Sequence, residues 1–294
     1  MSTDRAGGRI LFIEPCCGIS GDMLLGALLD LGADPEHLRR QLGLLPFHGY
    51  SLSIRKCLKA GITSTKFDVH LASDHPQQPE DHHHHHHHRT FAQIRTMISE
   101  SGLSAWVREH AVDAFARLAA AEGKIHDQAP EQVHFHEVGA VDSIIDIVGT
   151  MVALEGFLPL SIRCAPVNVG SGTLQCRHGV YPVPGPAALQ LLENIPIYSD
   201  ATGGELTTPT GAALLAALVG EFGPRPPMRV TAAGYGAGTR DIPGVANVLR
   251  VSLGEAAADC CLDTGEKVTV IDANIDDMNP QLYDYFMEKA LALG

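Results

Sequence analysis

The chain has 294 residues, 45% of them hydrophobic, enough for one large domain or two ordinary ones with a real core. Asp and Glu number 34 against 21 Lys and Arg, a formal charge of −13, which excludes a general nucleic-acid binder and a polybasic membrane anchor. No apolar run approaches the ~20 residues of a membrane helix, and the opening "MSTDRAGGRILFIEP" lacks a signal-type apolar core, so a cytoplasmic protein with no membrane partner is expected.

In chain order, "RILFIE" (Arg9 to Glu14) reads as a buried strand. "GDMLLGALLDLGADPEHLRRQLG" has apolar residues at helical spacing, and Gly32 and Pro35 break it into two helices. "YSLSIRKC" and "ITSTKFDVHLA" alternate in period two and are rich in β-branched residues, so they pair as strands turning near Gly61. Residues 73–89 are polar and aperiodic, and read as a mobile surface loop. "TFAQIRTMISESGL", "SAWVREHAVDAFARLAAAEGKIH" and "AVDSIIDIVGTMVALEGF" are helical, and "SIRCAPVNV" is a strand. "TPTGAALLAALVGEF" is a helix with Thr208 as N-cap and Pro209 at its first position. "MRVTAAG" and "ANVLRVSL" are strands, and the glycine-rich "GYGAGTRD" between them reads as a loop. The fold expected is mixed α and β, with strands and helices interleaved in one main domain over 1–253. A linker follows over 254–266. Residues 267–294 hold one strand and one helix, read as the start of a second α+β domain cut short.

Several clusters could carry chemistry. Seven consecutive histidines, His82, His83, His84, His85, His86, His87 and His88, lie far from either end, so they do not read as a purification tag. Clustered imidazoles bind Ni²⁺, Cu²⁺ and Zn²⁺, and an aperiodic run suits capture and delivery better than catalysis. In "VHFHEVGAVDSIIDIVG" an extended segment would point His134 and His136 to one face and Phe135 to the other. Asp142 and Asp146 are spaced i, i+4 on one helix face. With Glu137 they could converge on a divalent cation, or they could simply cap a helix and offset its dipole. "EPCCGISGDM" follows a strand and opens a helix. There Gly18, Ser20 and Gly21 could form a backbone nest for an anion, while Asp22 could hold a cation or cap the helix. Cys16 and Cys17 could supply a soft thiolate, although seven scattered cysteines form no disulfide framework. "DANIDDM" sets Asp272, Asn274 and Asp276 on one face of an extended segment, with Asp277 beside them. These hard oxygen ligands suit Mg²⁺ or Mn²⁺ carrying a nucleotide phosphate, or form a polar strand end.

Together "GISGDMLLGALLDLGADPE", "AEGKIHDQAPEQVHFHEVGAVDSIIDIVG", "ELTTPTGAALL" and "NIDDM" resemble the LarC family, nickel insertion proteins of the lactate racemase nickel-pincer cofactor pathway. The resemblance runs from about residue 9 to the C-terminus. Family members often carry a histidine-rich loop near the place of His82–His88, which makes nickel its implied cargo. The resemblance implies a CTP-dependent cyclometallase acting on a pyridinium mononucleotide with two thiocarboxylates. Its product would hold Ni²⁺ between two sulfurs and a ring carbon. Soft sulfur donors suit nickel, and forming the nickel–carbon bond requires a base for the ring proton. In that scheme His134, His136, Glu137, Asp142 and Asp146 serve nickel delivery or proton removal. Gly18, Ser20, Gly21 and Asp22 bind the substrate or its phosphate. Asp272, Asn274, Asp276 and Asp277 open a half that binds CTP with Mn²⁺ or Mg²⁺. A homo-oligomer and a lactate-racemase-type apoenzyme as recipient are also expected.

Two departures from the family pattern stand out. "EPCC" replaces the expected acidic–apolar–small pattern, so no role carries over to Cys16 or Cys17. The chain stops just inside the CTP-binding half, so the expectation is nickel binding without insertion unless another chain completes it. The alternative reading is a nickel storage or delivery protein acting with a separate catalytic chain. A third is a divalent-metal hydrolase built on "HFHEVGAVD".

Overall fold

A computed structural model describes residues 8–71, 89–135, 141–158, 160–176, 179–257 and 282–292. The chain divides into two units, Met1–Ala258 and Asp259–Gly294. Unit one begins with β1 (Arg9–Glu14), α1 (Gly21–Leu31), α2 (Pro35–Leu42), β2 (Tyr50–Lys59) and β3 (Ile62–Leu71). It continues with α3 (Phe91–Ser99), α4 (Ala105–His126), α5 (Val141–Glu155) and β4 (Ser161–Cys164). A run of short pieces follows: β5 (Val167–Asn168), β6 (Gly170–Ser171), β7 (Thr173–Cys176), β8 (Gly179–Pro182), α6 (Pro186–Leu191), β9 (Ile197–Tyr198) and β10 (Gly204–Glu205). The unit closes with α7 (Pro209–Leu218), β11 (Glu221–Phe222), β12 (Met228–Ala237) and β13 (Val248–Ala256). In unit two the described residues form α8 (Leu282–Ala292).

Seven strands make one mixed sheet in the order β11-β4-β1-β13-β12-β3-β2, and the expected mixed α and β class holds. β1 pairs parallel with β4 and antiparallel with β13, so strands from near both ends of unit one meet at the sheet centre. The β2–β3 hairpin turns where the sequence places it, with Lys59 opposite Ile62. Helix α1 lies against β3, β12 and β13, α5 packs on α1, and α4 packs on α5 and α7.

The composition of these helices explains their depth. α1 is covered by the sheet on one side and by α5 on the other, so Met23, Leu24, Leu25 and Leu28 are all buried. α5 is buried from Ile144 to Leu154 except at the half-buried Asp146, and Thr150 is the other polar side chain of the stretch. A helix apolar all round belongs inside a protein, and a carboxylate within it is costly unless something compensates it. α1 ends where Gly32 adopts a left-handed backbone, and Asp34 with Pro35 starts α2.

The structure revises some expected boundaries. "SIRCAPVNV" splits into β4 and β5, which join different sheets. The helix expected through Phe222 stops at Leu218, and Glu221–Phe222 pairs parallel with β4 instead. Gly234–Ala237, expected as loop, completes β12. β13 runs to Ala256, and the rest of the expected linker from residue 258 lies outside the described residues, as does the strand expected after it.

Asp30 near the end of α1 fastens the helix to the sheet. Its carboxylate accepts from the Lys56 ammonium, from Thr65 Oγ1 (2.7 Å) and from the Tyr235 N–H (2.9 Å). Burial alone would raise its proton affinity, but these bonds outweigh it and hold the carboxyl below its usual range. Such a group adds stability that is present above the unfolded carboxylate range and lost as pH falls through the lowered folded value. Asp30→Ala should therefore cost about 1–3 kcal/mol at pH 7, with the difference shrinking on acidification. Urea melts of both proteins from pH 7 to pH 3 read this directly.

Candidate active site

Three helix N-termini and one strand enclose a cleft of about 390 Å³, a size typical of small-ligand sites. α1 contributes Ser20, Gly21 and Asp22, α5 contributes Asp142, Ser143 and Asp146, and α7 contributes Thr208, Pro209 and Thr210. β3 supplies Lys66, Phe67, Asp68 and Val69, while Glu205 and Thr239 complete the wall. Thr208 caps α7 as expected, accepting from the Gly211 N–H at 3.2 Å, with Pro209 at the first helical position.

The N-termini of α1 and α5 approach closely because Gly21 has no side chain. A Cβ there would lie 2.7 Å from Asp146 Cβ and 3.0 Å from Thr210 Cγ2. Asp22 sits in the first turn of α1, where a carboxylate complements the helix dipole. Its Oδ1 accepts from Ser20 Oγ and its Oδ2 from the Lys66 ammonium.

Lys66 is the chief cation of this cleft and is deeply buried, with 5% of its side chain exposed. Its ammonium donates to Asp22, to Asp68 Oδ1 (3.0 Å) and to the Phe67 carbonyl (3.1 Å). An ammonium has three N–H donors, so this set uses them all. Burial works against the charge, but Asp22 and Asp68 outweigh it and raise the proton affinity of Lys66.

Asp146 is held differently. Burial first, then the negative charges of Asp22 and Asp142, push its carboxyl well above the ordinary range. Lys66 and the Asp22 N–H pull the other way without reversing the shift. Asp142, one turn earlier, is exposed and accepts from the Ser143 N–H at 2.8 Å. The cleft thus pairs a lysine-anchored carboxylate, Asp22, with an enclosed carboxyl of raised proton affinity, Asp146. A carboxyl of raised proton affinity in a cleft is suited to proton transfer at neutral pH.

Of the residues singled out from sequence, Ser20, Gly21, Asp22, Asp142 and Asp146 line the cleft. Gly18 supports it from behind, in a left-handed backbone packed on the Leu206 carbonyl. His134 does not line it. The segment is extended as the alternation implies: Phe91 N–H donates to the Val133 carbonyl and Phe135 N–H to the Arg89 carbonyl. Phe135 is buried against Phe115 and His134 faces outward. His136, Glu137, the run His82–His88, Asp272, Asn274, Asp276 and Asp277 lie outside the described residues. The described residues flanking the run are Leu71, at the end of the strand carrying Lys66 and Asp68, and Arg89, bonded to Phe135. Cys16 is exposed, while Cys17 is buried, donates to the Ala246 carbonyl (3.1 Å) and has its proton affinity raised by burial. Among the described residues, no three His, Cys, Asp or Glu side chains are grouped to hold a metal ion.

Sequence reading missed Lys66, Asp68, Glu205 and Thr239. A lysine in a period-two strand ordinarily faces water. The available signal was its place in "TSTKFDV", where Ser64, Thr65, Lys66 and Phe67 are buried in succession.

No helix among the described residues is long and apolar enough to cross a membrane. No solved structure matches the chain. The family model described as nickel insertion protein matches residues 11–294. A putative nickel insertion protein of Geobacter sulfurreducens is 45% identical over 97% of this chain and 71% of its own length. A pyridinium-3,5-bisthiocarboxylic acid mononucleotide nickel insertion protein of Desulfitobacterium hafniense is 44% identical over 97% of this chain and 69% of its own. A protein of the same name from Geobacillus kaustophilus is 43% identical over 97% and 71%. The chain belongs to the nickel insertion protein family.

Proposed function

We propose that this chain inserts Ni²⁺ into pyridinium-3,5-bisthiocarboxylic acid mononucleotide, with Asp146 as the proton acceptor. The observation that carries this reading is the enclosed Asp146 carboxyl on the cleft wall, in a chain whose curated relatives are named for this insertion. Nickel is the substrate metal. In the insertion step the ring C–H bond breaks, the nickel–carbon bond forms, and the proton passes to the ionised Asp146 carboxylate. Nickel stays Ni²⁺, so no oxidant or reductant is needed. A base of raised proton affinity is matched to a weakly acidic C–H and regenerates near neutral pH. The exposed carboxylate of Asp142 and the charge of Asp22 both favour its taking the proton.

The Gly21 N–H and the Thr208 hydroxyl, at the N-termini of α1 and α7, are proposed to receive the mononucleotide, as donors at helix N-termini suit its phosphate. His82–His88 are proposed to capture nickel, with His134, His136 and Glu137 handing it on. The run is flanked by a strand that enters the cleft and by residues paired to His134's segment, which supports that route. CTP with Mn²⁺ or Mg²⁺, held by Asp272, Asn274, Asp276 and Asp277, is part of the proposal on the strength of the resemblance alone. The described residues offer no grouped ligands for that ion. A lactate-racemase-type apoenzyme as recipient, and assembly as a homo-oligomer in the cytoplasm, complete the proposal.

The test is an insertion assay read by mass spectrometry. The chain is mixed with the dithiocarboxylate precursor, Ni²⁺, CTP and Mn²⁺, beside the Desulfitobacterium relative as control. A product heavier by nickel and lighter by the displaced protons supports the reading. Product from the control alone would favour nickel storage or delivery instead. Deleting 82–88 should raise the nickel concentration for half-maximal insertion about tenfold or more, through loss of local capture, while insertion at saturating nickel persists. Nickel titrations of both proteins check this.

A further inference from the structure

The Lys66 ammonium is buried in a strand, and its three acceptors come from two elements packed against each other, α1 and β3. A buried charge is retained only when it is fully paired, and removing its partner leaves the others uncompensated. The pairing has a consequence for the cleft. It ties the Asp22 carboxylate to β3, next to Asp146 across the Gly21 contact. Of the two adjoining carboxyls, Asp22 is the one engaged by the Lys66 ammonium. The ammonium has no N–H left for a substrate.

We infer that Lys66 is a positioning residue for nickel insertion: by tying Asp22 to Asp68 it holds the wall of the cleft in register and leaves Asp146 as the carboxyl that exchanges a proton. This rests on the reading of Asp146 given above. The charged groups around Asp146 are Asp22 from α1, Lys66 and Asp68 from β3, Asp142 on its own helix, and Glu205 across the cleft. α7 presents only the uncharged Thr208 and Thr210.

The experiment measures the insertion rate at saturating precursor, the half-saturating precursor concentration and the pH profile for wild type, Lys66→Met, Lys66→Arg and Asp146→Asn, all as full chains. For Lys66→Met the saturated rate should fall at least about tenfold. Its acid limb should move to higher pH, because the cation that favours ionised Asp146 is gone. The half-saturating concentration should stay within about twofold, since Lys66 makes uniform binding contacts with no substrate atom. Lys66→Arg keeps the charge, so its acid limb should stay at the wild-type pH. Its saturated rate should still fall, because a planar fork cannot repeat the three-point bonding. If Lys66→Met does not fold, Lys66→Arg decides alone: a wild-type saturated rate overturns the inference. A raised half-saturating concentration with an unchanged saturated rate in Lys66→Met also overturns it, by making Lys66 a substrate-binding residue. Full activity in Asp146→Asn sinks the reading beneath it. An inactive Asp146→Asn beside a wild-type-like Lys66→Met sinks this inference alone.

Discussion

Asp146→Asn is expected to lower nickel insertion by about 10²–10⁴-fold and, at the same time, to stabilise the protein at neutral and higher pH. Both effects follow from one position. The carboxyl sits where α5 enters its buried stretch, beside Asp22 and Asp142. Its folded-state proton affinity is raised, so the folded chain holds a proton that the unfolded chain has released. Stability therefore falls as pH rises from the ordinary carboxylate range through the raised folded value, and above that value the full cost is present. An amide has the same shape and no charge, so the cost disappears. Thermal melts from pH 4 to pH 9 should show the Asp146→Asn variant gaining on wild type as pH rises, with no gain at the acid end. A variant that loses activity and stability together at every pH would mean that Asp146 is a structural acceptor and not a proton carrier.

Gly18→Ala is expected to give the largest loss of stability, at least about 4 kcal/mol, an exceptional value for one methyl group. Gly18 has φ +72°, a left-handed backbone that costs an L-residue roughly 1–2 kcal/mol. The larger contribution is steric. A Cβ there would lie 2.1 Å from the Leu206 carbonyl oxygen and 2.2 Å from its carbon, and neither backbone atom can swing aside like a side chain. Relief requires moving the β1–α1 loop away from the segment just before α7, which would open the cleft between two of its three helices. Denaturant unfolding measures the loss, and precursor binding should weaken with it. A cost below about 1 kcal/mol would show that this loop is not pinned against Leu206.

How much of this was legible in the sequence depended on whether each signal was local. Gly32 and Pro35 punctuate the first helix pair, and the structure ends α1 and starts α2 there. Thr208-Pro209 announces α7, and Gly61 the β2–β3 turn. The stretch 170–207 resisted reading because its strands are two to four residues long, too short to show a period. The candidate site divides in the same way. Ser20, Gly21 and Asp22 stand at a helix start, and Asp142 and Asp146 share a helix face, so local rules flagged them. Lys66 and Glu205 gain meaning only when α1, β3, β10 and α7 are brought together, a fact of topology that spacing along the chain does not carry. The alternation put Phe135 on the face opposite His134, as found, but it could not show which face is buried or that His134 is not among the residues lining the cleft.

The place of β1 between β4 and β13 also sets when the protein can be completed during its synthesis. β1 leaves the ribosome long before its partner, since Arg9 pairs with Glu255, 246 positions downstream. Until Val248–Ala256 emerges, the inner faces of β1 and α1, with Leu11, Ile13, Leu24 and Leu28, lack part of their cover. Contacts of such long range form slowly and leave apolar surface open to misassociation. Nascent chains stalled before residue 248 should therefore be chaperone clients and protease-sensitive. Release of the β13 segment is the event that closes the sheet and, with it, the floor on which α1 holds the cleft.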